Sequence, residues 1–402
     1  MIKNIAIQAV GSAISQSVPI LVAPIVLRLY KPEVFGIFAI CAALISAITV
    51  FSTFKLEHAV IQSKTSAESS KIFYSALFFC FAAAIIFGII ALMVYSIFAS
   101  TFLGYGLSIL VVVSSFSSSV VTLHTYYALR IESYKRISMS RVIQATISSL
   151  VTIGVGLVYP MVEVLVIALI AGNLAAIKYF PRPNFCKPTL KMFLFAIKKH
   201  KNFIKYSIPG DIANNLTIQI PQVLIANMFG VKEGGFLAQT NRLLLTPSRF
   251  VGSAVRETLY RSALSASFDK QHDNRILLFF TALLVNSLIA IPAFSLLYAF
   301  ASPLSDLIFG VGWLGIDEFL KILAPAMAML FIFGPLTALH YTLGTQRADM
   351  IFNLMFMICV SAAIVLSESA IISVQRLAFV ICVMTLLNAS YVLFLLFKNR
   401  TI

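Results

Sequence analysis

The apolar positions of this chain gather into long runs separated by short polar or charged stretches, from one end to the other. By hydropathy the runs fall at about 5–29, 37–54, 72–98, 107–129, 137–158, 162–177, 207–228, 236–255, 276–300, 318–342, 350–367 and 372–397. Most approach the roughly 20 residues that an α-helix needs to cross a hydrocarbon core about 30 Å thick. Backbone in lipid must satisfy its own hydrogen bonds, so runs of this length predict helices. The expected fold is an all-α integral membrane protein of about twelve transmembrane helices in two six-helix lobes. The longest polar interval separates an N-lobe at 1–180 (spans 1–6) from a C-lobe at 207–402 (spans 7–12), with a basic cytoplasmic linker at 181–206. Lobes that both start on the same side would be related by an axis along the membrane normal. GIFA at 36–39 and GFLA at 235–238, opening spans two and eight, fit such a repeat.

Composition agrees. Of 402 residues, 60% are hydrophobic and only 11% charged, where a soluble domain carries about 25% charged residues. The net charge of +15 does not point to nucleic acid, because no basic soluble domain is present to track a phosphate backbone. The cations cluster between apolar runs. With the N-terminus on side one, 23 of the 30 Lys and Arg fall on side-one loops and five on side two. Cationic loops are retained in the cytoplasm, so both termini are expected inside. The inner tally counts Arg141 with the loop before span five, and the outer one puts Arg376 on a short loop. The linker stretch LKMFLFAIKKHKNFIKY mixes apolar and basic positions as an interfacial helix does, and suits anionic lipids. The five cysteines show no metal or CxxC spacing and predict no disulfides. No Walker A, HExxH or GxSxG pattern is present, and no enzyme activity, cofactor or metal is expected.

Polar residues inside the spans narrow the function. A charge at the centre of a span costs about 2.5–3.5 kcal/mol and normally faces a wet interior. Span seven, YSIPGDIANNLTIQIPQVLIANMFG, places Asp211, Asn215 and Gln222 on one helical face. Its Pro-Gly and second Pro interrupt the helix, as binding-site helices of transporters often do. Packing hydrogen bonds, or an N-cap role for Asp211, would account for the same residues. Span eight, FLAQTNRLLLTPSRFVGSAVRE, spaces Arg242, Arg249 and Arg256 by seven, a single stripe with a drift of about 20° per step. Guanidinium binds phosphate in a bidentate fork, so a ladder of them suits a diphosphate that must cross. Snorkelling explains Arg256 as well, and Arg242 and Arg249 poorly. Arg28 ends span one, and Lys55 and Glu57 follow span two near the inner interface. His124 and His340 lack metal partners at helical spacing and read as hydrogen-bonded packing residues.

Seven stretches, in order along nearly the whole chain, resemble one family. They are LRLYKPEVFGIFAI, FKLEHAVIQSKTSAES, ALRIESYKRISMSRVIQA, NFIKYSIPGDIANNLTIQIPQVLIANMFG, FLAQTNRLLLTPSRFVGSAVRETLY, LIFGVGWLGIDEFLKILAPA and LGTQRADMIFNL. The family is the polysaccharide-transport flippases of the multidrug/oligosaccharidyl-lipid/polysaccharide exporter superfamily, of the Wzx O-antigen type. The resemblance implies two six-helix lobes around a central cationic cavity in a bacterial inner membrane. It implies transfer of an undecaprenyl-diphosphate-linked oligosaccharide from the cytoplasmic to the periplasmic leaflet by alternating access, coupled to a proton or sodium ion. Other implied partners are the polymerase and chain-length regulator of the same pathway. On this reading Arg28, Arg242, Arg249 and Arg256 hold the diphosphate, with Lys55 and Glu57 at the inner rim. Asn215 and Gln222 meet sugar, and Asp211 takes the coupling cation. Relatives commonly carry an Arg-Tyr-Glu-like triplet where this chain has Lys55-Leu56-Glu57, and Lys lacks the fork. A drug/cation antiporter of the superfamily would prefer acidic walls. A membrane polymerase or ligase would need catalytic groups on a large outer loop, and the longest here is SPLSDLIFGVGWLGIDE.

Overall fold

A computed structural model describes residues 2–54, 56–63, 65–97, 104–187, 217–245, 272–343 and 345–398, with isolated positions at 194–195, 197–198, 252, 255 and 259. The described residues form helices and short turns and contain no strand. Among the described residues, eight helices are long and apolar enough to cross a membrane. Large apolar side chains on them lie bare, Leu21 at 76% and Phe379 at 70% exposure among them, which a lipid solvent makes favourable. The chain divides into two compact units between Leu216 and Thr217.

The first unit holds α1 (Ile2–Leu29), α2 (Pro32–Thr53), α3 (Leu56–Gln62), α4 (Ser66–Ile97), α5 (Tyr105–Arg130), α6 (Tyr134–Gly156) and α7 (Val162–Ile177). Pro32 starts α2 at its first helical position, where the missing N–H is no loss. Phe54 ends that helix in the left-handed region, φ 46°, close to where the second hydropathy run stops, and α3 follows as a separate short helix. α5 packs against α2, α3, α4 and α7. Leu56, Val60, Ile72, Phe73, Leu123 and Tyr127 form one core cluster, and Ile197 of the linker packs against it. α1 and α6 lie together along their length. Gly11 meets Ser138 near one end and Gly156 meets Tyr30 near the other, with no room for a Cβ at either glycine. The Tyr30 hydroxyl donates to the Thr152 carbonyl at 2.8 Å. Small residues at a seam let backbones approach closely, as is usual between helices in lipid.

The second unit holds α8 (217–228) and α9 (231–245), joined through Gly230 at φ 121°. It continues with α10 (His272–Ala299), α11 (Ala301–Ile308), α12 (Ile316–Phe333), α13 (Leu339–Thr342), α14 (Gln346–Val365) and α15 (Ala370–Lys398). α12 packs against both α10 and α15. The tenth apolar run is not one helix. A 3-10 segment, Gly334–Ala338, interrupts it, because Pro335 has no N–H to donate and its ring crowds the preceding turn. The interval between α10 and α12 is ordered: Trp313 is buried, its ring 5.3 Å from Phe309 and 5.9 Å from Phe236 on α9. Lys321 pairs with Asp317 at 3.1 Å and donates to Ser302 Oγ at 2.9 Å. Arg376 lies within α15, not on a loop, and its guanidinium donates to the Leu366 carbonyl at 2.6 Å where α14 ends.

Candidate substrate pathway

Arg242 sits about 16 Å along α9 at 1.5 Å per residue. Its three predecessors Gln239, Thr240 and Asn241 are buried, while Arg242 itself is exposed. α9 therefore turns Gln239, Thr240 and Asn241 inward and leaves the Arg242 side chain accessible. Among the described residues, Thr240 Oγ1 and Asn241 Oδ1 have no hydrogen-bond partner. A charge inside a span normally faces a wet interior. Gln222, on α8, is buried at 8% exposure. Arg28 stands exposed in the last turn of α1, a place that also suits its charge electrostatically.

Glu57 belongs to a short helix of its own. It lies in α3 at 3% exposure, inside the first unit. The left-handed turn at Phe54 redirects the chain and carries Glu57 inward with Leu56, Ala59 and Val60, which are also buried. Lys55, Asp211, Asn215, Arg249 and Arg256 lie outside the described residues.

Both membrane histidines are buried and bonded as expected. The His124 ring pairs through Nδ1 with the Val120 carbonyl at 2.9 Å and meets Phe73 edge-on. His340 pairs with Thr345 Oγ1 and Asn388 Oδ1, each at 2.8 Å. All five cysteines are free.

Sequence reasoning missed a polar network in the first unit. Gln144 Nε2 donates to Asn173 Oδ1 at 2.6 Å. Asn173 Nδ2 in turn donates to Ser117 Oγ at 2.9 Å and Ser118 Oγ at 3.0 Å. Ser148 Oγ donates to the Ala168 carbonyl at 2.8 Å. The network ties α5, α6 and α7 together through bonds that carry no charge. Arg141, beside it, belongs to α6 and not to the loop before it: its Nη1 donates to Ser12 Oγ of α1 at 2.8 Å. The signal was present, since Arg141, Gln144, Ser148 and Thr152 recur at three- and four-residue steps on one helical face.

These features define a multi-pass helical membrane protein with polar groups held inside its spans, and the architecture has counterparts among solved structures. An inward-facing multidrug resistance MATE family transporter of the MOP superfamily superposes with TM-score 0.75 at 10% identity, covering 96% of each chain. The lipid II flippase MurJ, in an inward closed conformation, gives TM-score 0.71 at 11% identity over 96% of this chain and 86% of that one. A MOP superfamily transporter from Pyrococcus furiosus, whose binding pocket is described as reversed in polarity, gives 0.61 at 12% identity, covering 97% and 94%. At such identities the likeness shows the fold.

Residues 25–318 match the family described as polysaccharide biosynthesis protein, and the chain belongs to that family. A succinoglycan biosynthesis transport protein, ExoT of Rhizobium meliloti (strain 1021), is 26% identical over 186 residues. That alignment spans 45% of this chain and only 35% of the relative. The family expected from the seven sequence stretches is the one found.

Proposed function

We propose that the protein is a flippase for a lipid-linked saccharide in polysaccharide biosynthesis. Its substrate is an undecaprenyl-diphosphate-linked oligosaccharide, an O-antigen or capsule repeat unit. It carries the unit from the cytoplasmic to the periplasmic leaflet of a bacterial inner membrane by alternating access, with both termini in the cytoplasm. The observation that carries the reading is Arg242, a permanent cation exposed within a span beside three buried polar neighbours. The family match, the flippase fold neighbour and the transport role of the succinoglycan relative support it.

In this mechanism Arg242, Arg249 and Arg256 of the second unit hold the diphosphate in turn, and Arg28 and Lys55 of the first unit contribute further cations. Asn215 and Gln222 meet sugar hydroxyls, and Asp211 binds the coupling cation, a proton or sodium ion. The polyprenyl tail stays in lipid throughout, so the protein shelters only the charged and hydroxylated part.

Deleting the gene should block surface polysaccharide while lipid-linked units accumulate inside. Arg242→Ala and Arg249→Ala should each lower export at least tenfold at equal levels of inserted protein, since a charged hydrogen-bonding partner of phosphate is lost (about 1.5–3 kcal/mol each). Arg249→Lys should recover only part, keeping charge without the fork, and Arg256→Ala should be milder. Normal surface polysaccharide in both the Arg242→Ala and Arg249→Ala strains would reject the cationic route. Export of single repeat units with only chain length lost would indicate a polymerase instead.

A further inference from the structure

We propose that Arg141 is a further phosphate-binding residue, located in the first unit on the α1–α6 seam. The proposal rests on the diphosphate reading above and adds a residue that the arginine stripe of span eight does not contain. Arg141 lies about 10 Å into α6, counting 1.5 Å per residue from Tyr134. It is half-buried, and it reaches Ser12 in a segment of α1 long and apolar enough to cross a membrane, Gly11–Leu29.

The donor set is what points to an anion. A guanidinium presents five N–H donors in a planar fork. One, on Nη1, goes to the neutral Ser12 hydroxyl at 2.8 Å. Among the described residues, Nε and Nη2 have no acceptor, and neither α1 nor α6 contains an Asp or Glu. A cation in a span with no counter-ion of its own is costly. A phosphate group would supply the missing charge and accept one N–H from Nε and one from Nη2 as a bidentate pair.

The competing account makes Arg141 a clamp between two helices. The seam does not need one. Gly11 already lies against Ser138, one turn before Arg141, with no space for a Cβ. One turn further along, Gln144 ties α6 to Asn173 of α7 without any charge. A neutral amide would make the Ser12 bond at lower cost than a guanidinium. The Ser12 hydroxyl is better understood as orienting the fork, leaving Nε and Nη2 for the ligand.

The shared ligand chemistry is a phosphate oxyanion, which a lipid diphosphate or an anionic headgroup could supply, and the assignment here is to the diphosphate. The full chain, purified into phosphatidylcholine nanodiscs, would be titrated with radiolabelled undecaprenyl diphosphate. Arg141→Ala is expected to weaken retention at least tenfold with an unchanged melting temperature. Arg141→Lys should restore part of it, and Ser12→Ala, which keeps the cation, should cost no more than about threefold. Equal losses in Arg141→Ala and Ser12→Ala would leave only the clamp and overturn the proposal. So would full retention by Arg141→Ala when Arg242→Ala has lost binding, a result that spares the diphosphate reading. If wild-type protein fails to retain undecaprenyl diphosphate, both ideas fall together. If phosphatidylglycerol in the discs displaces the label from wild type as well as unlabelled diphosphate does, the assignment to the diphosphate is wrong.

Discussion

Asn173, at 3% exposure, accepts one hydrogen bond from Gln144 and donates two to serines of α5. In lipid the partners it joins have no water to turn to, so removing it strands Gln144 and frees two serine hydroxyls at once. Asn173→Val, close in volume, is expected to destabilise the first unit by about 1–3 kcal/mol. The check is a lower melting temperature in detergent, with Thr122→Val, which loses only a bond to its own helix at Ser118, changing little. Nothing in the sequence singles Asn173 out: it is one polar residue in an apolar run, and only the meeting of three helices gives it partners. His340 was easier to read. A histidine amid apolar residues with no ligand spacing had to be bonded locally, and it is. The burial of Glu57 was illegible because a left-handed turn at a Phe has no sequence signature of the kind a glycine gives.

At the scale of elements, the hydropathy pattern located every span that the described residues cover, since length and apolarity alone decide what lipid will accept. Interruptions were harder. Pro335 marks a break that hydropathy averages away, and Arg376 looks like loop because charge interrupts the run just where α15 begins. The outer segment around α11 shows the same limit: its length suggests a plain connection, while the structure packs Trp313 between Phe309 and Phe236. Trp313→Ala removes a ring buried to 2% exposure, and truncations of this size cost about 3–5 kcal/mol. The unfolding temperature of the purified protein should fall markedly. Trp313→Phe should recover most of it by keeping an aromatic in the gap, and equal melting of all three forms would show that the segment does not brace α9.

For the molecule as a whole, the charge asymmetry of the loops supports cytoplasmic termini, and moving Arg141 into its span removes only one cation from the inner tally. Cys186 lies in the basic interval after α7. Gly312 lies in the outer segment, where a Cβ added to it would meet nothing within 4 Å. In a background lacking Cys41, Cys80, Cys359 and Cys382, a membrane-impermeant maleimide added to intact spheroplasts should spare Cys186. The same reagent should label a Gly312→Cys variant. Labelling of Cys186 from outside would invert the orientation and with it the proposed direction of transport.

The polar stripe of α6 has a consequence for biogenesis. A helix carrying Arg141, Gln144 and Ser148 on one side gains little by leaving the translocon for bare lipid, and it is not among the eight helices apolar enough to span by composition. Its neighbours supply what lipid cannot: Ser12 of α1 is already synthesised when α6 emerges, whereas Asn173 of α7 is not. Insertion of α6 is thus expected to depend on residues made after it, with α6 and α7 entering the bilayer as a hairpin in which the later helix completes the earlier one.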